Sequence, residues 1–94
     1  MGALHEDRQK VSEDVLDMKR AIDSLREELE AVDWYNQRQD VTKDETLREI
    51  LIHNMNEEKE HAAMLLEWIR RQDDQFDEQL RTYLFTEEPI SDLE

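Results

Sequence analysis

Residues 47–69, LREILIHNMNEEKEHAAMLLEWI, predict an amphipathic helix with a polar interruption in its apolar face. Leu51, Glu58 and Leu65 are seven residues apart, and seven steps of about 100° return a helix to nearly the same direction. Glu58 therefore lies on the line that joins two leucines, and His61 lies almost one turn further along that face. The polar part of the face consists of Asn54, Glu58 and His61.

A second apolar stripe, upstream of this segment, predicts another long helix. Its members are separated by alternating steps of four and three residues, which is the spacing of a sustained helical face. Glu28 interrupts this stripe, and Tyr35 follows it seven residues later on nearly the same line. Burying an unpaired carboxylate is costly, so the interruptions in the two helices need a common explanation. The apolar members are Val11, Val15, Met18, Ile22, Leu25, Leu29 and Val32.

We expect an all-α chain that folds as one domain over residues 1–94, with two long antiparallel helices and a short C-terminal helix. Thr42 with Glu45 forms a capping-box pattern that predicts the start of the second helix. Pro89 is expected to end the short helix, because the residue before a proline avoids helical backbone angles. The expected boundaries are about residues 8–37 for the first helix, 44–72 for the second, 74–86 for the short helix and 87–94 for a tail.

A hairpin of this kind needs a partner. Helices of roughly 28 residues are about 42 Å long, and two of them can barely bury a core of their own size. We therefore expect an obligate oligomer in which two hairpins dimerise into a four-helix bundle. From charge alone, Arg70, Arg71 and Arg81 are expected to pair with acidic residues of a neighbouring protomer.

The charge balance narrows the classes of partner. The chain carries a formal net charge of −14, which disfavours nucleic acid and anionic membranes as partners, since both repel an acidic surface. It has no cysteine, so disulfides, zinc fingers and thiol catalysis are excluded. No apolar run approaches the roughly 18 residues of a membrane span, and no signal segment is recognised. The remaining partners are cations and basic proteins.

A metal ion would explain both polar interruptions. Di-iron bundles use one Glu from each of two helices and a Glu-x-x-His pair from each of the other two. Glu28, with Glu58 and His61, supplies half of that set, and two chains would supply all of it. A second interpretation stays open at this point, because Glu58 and His61 have the spacing of an ordinary surface pair.

Four blocks of the sequence resemble the encapsulated ferritin family. They are EELEAVDWY at 27–35, NEEKEHAAM at 56–64, LEWIRR at 66–71 and LRTYLFTE at 80–87. The resemblance extends from about residue 20 to residue 89. It implies a ferritin-like two-helix protomer with a short third helix, a ferroxidase centre at a dimer interface, and dimers assembled into a ring-shaped decamer.

The resemblance also implies roles for individual residues. Glu28, Glu58 and His61 of each chain would bind iron as a di-iron centre, with Tyr35 close by. An access site for iron would consist of Glu27, Glu30 and Trp34. A peripheral metal site would consist of His53, Glu57 and Glu60. An imidazole with two carboxylates is a donor set that can bind Ca, Zn or Co weakly. From the residues alone, a solvated acidic face is the favoured interpretation of the first group. For the second group, a surface histidine near two glutamates and a weak cation site are equally open interpretations.

The implied function is oxidation of Fe(II) to Fe(III) for iron storage inside an encapsulin nanocompartment in the cytoplasm. Family members usually continue past the helical core into a peptide that binds the encapsulin shell. No such peptide is recognised after Pro89, which leaves delivery to a shell open. Two alternatives are a non-catalytic acidic oligomer or adaptor and a di-iron peroxidase resembling rubrerythrin.

Overall fold

The computed structural model describes residues 2–93, and this part of the chain contains helices and no strand. Helix α1 spans Glu13–Val41, α2 spans Glu45–Gln72 and α3 spans Asp74–Tyr83. Single 3-10 turns at Arg8–Lys10 and Ile90–Asp92 lie outside these helices. The expected all-α class is confirmed. None of the helices in this part of the chain is both long and apolar enough to cross a membrane.

Helix α1 begins later and ends later than the expected range of about 8–37. Ser12 is its N-cap, and the Ser12 hydroxyl accepts a hydrogen bond from the Val15 amide. The residues before it form a separate 3-10 turn, capped by the Asp7 carboxylate. At the other end, the Thr42 amide donates to the carbonyl of Arg38, so the helix continues through Val41.

Three residues, 42–44, connect α1 to α2, and Arg48 closes this turn. The Arg48 guanidinium donates to the carbonyls of Gln39 (2.9 Å) and Thr42, which the end of α1 leaves without helical partners. The N-cap of α2 is Asp44, whose carboxylate accepts from the Leu47 amide at 3.0 Å. The capping box expected at Thr42 is therefore wrong. The Thr42 hydroxyl instead accepts from the amide of Asp44 within the turn.

Helix α3 turns away from α2 at Asp73, whose carboxylate accepts from the Phe76 amide. It ends at Tyr83, three residues before the expected end, and the chain soon passes through a positive φ of 59° at Phe85. The helix therefore ends six residues before Pro89, close to this left-handed residue.

Ion pairs cluster at the junction of α2 and α3, and one of them joins the two helices. Arg70 contacts both Glu67 of α2 and Asp77 of α3. Arg71 lies 2.7 Å from Glu67, and Arg81 lies 2.9 Å from Asp77. Only Arg70 joins the two helices, because the bend at Asp73 brings Asp77 within its reach, whereas Arg71 and Arg81 pair inside their own helices. Pairing of these arginines with a neighbouring protomer stays a prediction.

The core of a single chain is small. The buried apolar residues lie mainly where α1 and α2 face each other, and the Cα atoms extend over 50 × 39 × 19 Å. The accessible surface is 7656 Å², whereas a compact monomer of this mass exposes about 5,800 Å². Much surface that a compact protein would bury is therefore exposed. The buried set is Leu16, Ala21, Met55, Ala62 and Ile69.

Candidate metal centre

Glu28 of α1 meets Glu58 and His61 of α2 midway along the hairpin. One ligand atom from each of the three side chains lies within 4.8 Å of the others. His61 Nδ1 is 3.6 Å from a carboxylate oxygen of Glu28 and 3.6 Å from one of Glu58. Within residues 2–93 this is the only group of three or more potential metal ligands. Helical spacing aligns Glu58 with His61, and the register of the hairpin brings Glu28 opposite them.

The electrostatics of this cluster favour a cation. Oε2 of Glu28 is buried and accepts no hydrogen bond within the described chain. A buried carboxylate oxygen without a partner costs free energy, and two carboxylates this close repel each other. The distances to His61 are too long for hydrogen bonds, so the imidazole only partly offsets this cost. Two carboxylates and an imidazole form a donor set that suits divalent iron, manganese or zinc.

The cluster opens toward the outside of the hairpin. The side chain of His61 is 44% exposed, whereas those of Glu28 and Glu58 are about one quarter exposed. Apolar residues flank it on the surface. Leu29, next to Glu28, is 54% exposed, and Ile50 and Trp68 lie on α2 at whole numbers of turns from His61 and are also exposed. Exposed polar side chains on a face that also carries exposed apolar residues are typical of an interface between subunits.

Tyr35, the fourth residue predicted at the centre, lies two turns beyond Glu28 on α1 and is half-buried. It is not part of the ligand cluster. The guanidinium of Arg38 lies 5.9 Å from the centre of its ring and 5.8 Å from that of Trp34. Sequence analysis did not single out Arg38, although an arginine three or four residues after an aromatic residue on a helix is a usable signal for this cation–π contact.

The predicted access site and the predicted peripheral site do not form three-ligand groups in the described chain. Glu27, Glu30 and Trp34 are exposed on α1, and no third ligand of the described chain joins the two carboxylates. His53 Nε2 pairs with Glu57 at 2.8 Å on the surface of α2. Glu60 does not complete a three-ligand group with this pair in one chain. Both sites therefore remain predictions.

A helical hairpin with a carboxylate and histidine cluster at its middle has the arrangement of half a ferritin-like bundle with a candidate metal centre. The chain belongs to the EncFtn-like family, whose family model matches residues 3–87. The resemblance to encapsulated ferritins drawn from the sequence is thereby confirmed.

Individual relatives agree with this family. The chain is 63% identical over 78 residues to a ferritin-like protein of Thermotoga maritima, which covers 83% of this chain and 68% of the relative. It is 57% identical over 93 residues to an encapsulated ferritin-like protein of Rhodospirillum rubrum, covering 99% of this chain and 66% of the relative. The chain thus spans about two thirds of the length of these curated relatives. The crystal structure of protein ne0167 from Nitrosomonas europaea superposes with a TM-score of 0.92 at 60% identity, covering 96% of this chain and 99% of the other.

Proposed function

We propose that this protein is a ferroxidase that oxidises Fe(II) to Fe(III) at a di-iron centre shared by two chains. The observation that carries the proposal is the convergence of Glu28, Glu58 and His61 around a buried carboxylate oxygen without a hydrogen-bond partner. Such an oxygen is stabilised by a cation, and this donor set accepts Fe(II) readily. Membership in the EncFtn-like family favours iron over other divalent metals.

Pairing of two chains follows from the ligand count. One chain supplies two carboxylates and one imidazole, which is half of the set that di-iron bundles use. The exposed apolar residues beside the cluster and the large accessible surface support a partner at this face. In the paired state Glu58 of each chain is the best candidate for a bridging ligand. Pairs would assemble further into the ring-shaped decamer that the family resemblance implies.

Iron is the substrate of this reaction. The carboxylates hold two Fe(II) ions close together and offset their charge. Because the chains supply few ligands for each ion, coordination positions would remain open for an oxidant. Two Fe(II) ions release two electrons, which dioxygen or peroxide accepts, and the Fe(III) products leave for storage. Tyr35 would lie close to this centre in the paired state. Glu27, Glu30 and Trp34 would form an acidic path that attracts Fe(II) to it.

The setting proposed for this reaction is an encapsulin compartment. A relative that is 57% identical is an encapsulated ferritin-like protein, and the similarity covers 99% of this chain. Iron oxidised at the ring would then be stored within the shell rather than within a ferritin cage. His53, Glu57 and Glu60 would bind a peripheral divalent cation, such as Ca, outside the centre.

Stopped-flow Fe(II) oxidation tests the proposal. Glu58→Ala and His61→Ala are each expected to abolish rapid oxidation, because each removes a ligand, while helicity measured by circular dichroism is retained. Glu49→Ala is the matched control, since Glu49 is exposed on the same helix away from the cluster. Rapid oxidation that survives in both ligand variants would show that the centre is assigned wrongly.

A further inference from the structure

Residues 2–7, here called the N-terminal arm, fold back onto α1. Lys19 Nζ donates to the carbonyl oxygen of Gly2 and, at 2.9 Å, to Oδ2 of Asp23. The amide of Gly2 donates to the other carboxylate oxygen of Asp23 at 3.4 Å. The hydrogen bond from Lys19 lowers the pKa of the Asp23 carboxyl, which therefore stays charged. These contacts fix the beginning of the arm against the helix.

The arm covers part of an apolar surface that continues to the metal centre. Gly2 to His5 line a shallow cavity together with Val15, Met18 and Ile22 of α1. Val15, Ile22 and Leu29 are seven residues apart, so they follow one line along the helix. Leu29 directly follows the ligand Glu28 and is largely exposed. The arm thus covers part of the N-terminal end of the same stripe whose middle lies beside the centre.

A second chain that packs beside the centre needs this stripe. Helices in four-helix bundles contact their neighbours over most of their length, so a partner seated at Leu29 extends along α1 toward Ile22 and Val15. In the single chain the arm already lies against Met18 and Ile22 of this surface, while Val15 stays 57% exposed. Its contacts are few and close to solvent, and hydrogen bonds of this kind contribute only modestly to stability, so a partner can displace it.

We propose that the N-terminal arm and a second copy of this chain compete for the N-terminal half of the α1 stripe. The arm lowers the fraction of chains that are ready to pair, and metal bound between two chains shifts the balance toward the open arm and the pair. This inference rests on the proposed pairing of two chains across the metal centre.

Sedimentation velocity over a concentration series tests the competition, with EDTA and with Fe(II) under nitrogen. Asp23→Asn removes the carboxylate that receives Lys19 and Gly2, and Leu4→Ser weakens the apolar contact of the arm without touching a helix. The loss of one modest contact shifts each arm about fivefold toward the open state, and because both chains of a pair must open, the apparent Kd for pairing should fall by up to about 25-fold in each variant. Asp17→Asn is the matched control, because Asp17 also pairs with an arginine three residues on, at 2.7 Å, but does not contact the arm.

The outcomes separate the arm from the pairing itself. A lower apparent Kd in Asp23→Asn and Leu4→Ser, with Asp17→Asn close to wild type, supports competition. If the wild type forms pairs and both variants pair no better than the wild type, the competition is wrong but the pairing stands. A wild-type chain that stays single with Fe(II) at every concentration overturns the proposed pairing and the competition with it. If Asp23→Asn loses helicity, Leu4→Ser decides the result.

Discussion

Replacing Glu28 with glutamine should stabilise the metal-free protein while removing its response to iron. Oxygens of Glu28 and Glu58 lie within 4.8 Å of each other. Two like charges at that distance repel by about 3.5 kcal/mol at an effective dielectric constant of about 20, and by about 0.9 kcal/mol in bulk water. The two side chains are 24% and 25% exposed, which places the repulsion between these limits. We expect Glu28→Gln to relieve about 1–2 kcal/mol of it.

The neutral amide has a second advantage in the metal-free state. Its N–H groups can donate to the carboxylate of Glu58, whereas Oε2 of Glu28 has no hydrogen-bond partner in the described chain. For a chain of this size, 1 kcal/mol shifts Tm by about 4–8 °C. The metal-free variant should therefore melt at least about 4 °C above the wild type.

Thermal melts followed by circular dichroism measure both effects. They are recorded at fixed protein concentration and at about pH 8, above the range in which histidine usually titrates. With EDTA, Glu28→Gln should melt higher than the wild type. With anaerobic Fe(II), the wild type should gain stability and the variant should not, because a ligand stabilises only the state that binds it.

Glu49→Gln is the control for this comparison. Glu49 is exposed on α2 away from the cluster, so its change should be within about 0.5 kcal/mol in both conditions. A metal-free Glu28→Gln that melts below the wild type would refute the argument from repulsion. A variant that keeps the full Fe(II) stabilisation would refute the role of Glu28 as a ligand.

Three further changes test the fold that carries the centre. Asp44→Ala should destabilise by about 1 kcal/mol in a thermal melt, because the Leu47 amide loses its cap. Ile69→Ala should cost about 2–5 kcal/mol in denaturant unfolding, because Ile69 is 1% exposed and its removal leaves a cavity. Hydrogen bonds from Arg70 and Arg71 lower the pKa of the Glu67 carboxyl from 4.5 to about 2. A carboxyl whose pKa is lower in the folded than in the unfolded chain stabilises the folded state at pH values above its unfolded pKa. This stabilisation should therefore be complete above about pH 4.5 and lost as the pH falls through about 2. Glu67→Gln should remove that part of the acid unfolding curve followed by circular dichroism.

The periodicity of apolar residues was sufficient to predict the long helices. The alternating spacing around Glu28 and the segment around Glu58 predicted α1 and α2, because burial against another helix imposes that period. Their exact ends were less predictable. Thr42 and Asp44 are both good N-caps, and only the turn geometry, with Arg48 closing it, makes Asp44 the cap. Helix α3 ends two residues before a left-handed backbone at Phe85, where no glycine in the sequence signals such a conformation.

For the candidate site, the sequence predicted what lies on one helix better than what lies between elements. Glu58 and His61 are adjacent through helical spacing alone, whereas their approach to Glu28 depends on the register of the hairpin. The pairing of Arg70 with Asp77 could not be inferred, because it requires the angle at which α3 leaves α2. The N-terminal arm was likewise unpredictable, since its contacts with α1 bridge residues 17–21 positions apart.

Native mass spectrometry after anaerobic titration with Fe(II) tests the central claim most directly, because it gives the mass of the assembly and its iron content together. We predict that iron saturates at about one ion per chain, as two ions in each pair, and appears only in paired chains. His61→Ala should bind no iron at the centre under the same conditions. Iron bound mainly to single chains, or a saturating stoichiometry that is unchanged in His61→Ala, would contradict a di-iron centre shared by two chains.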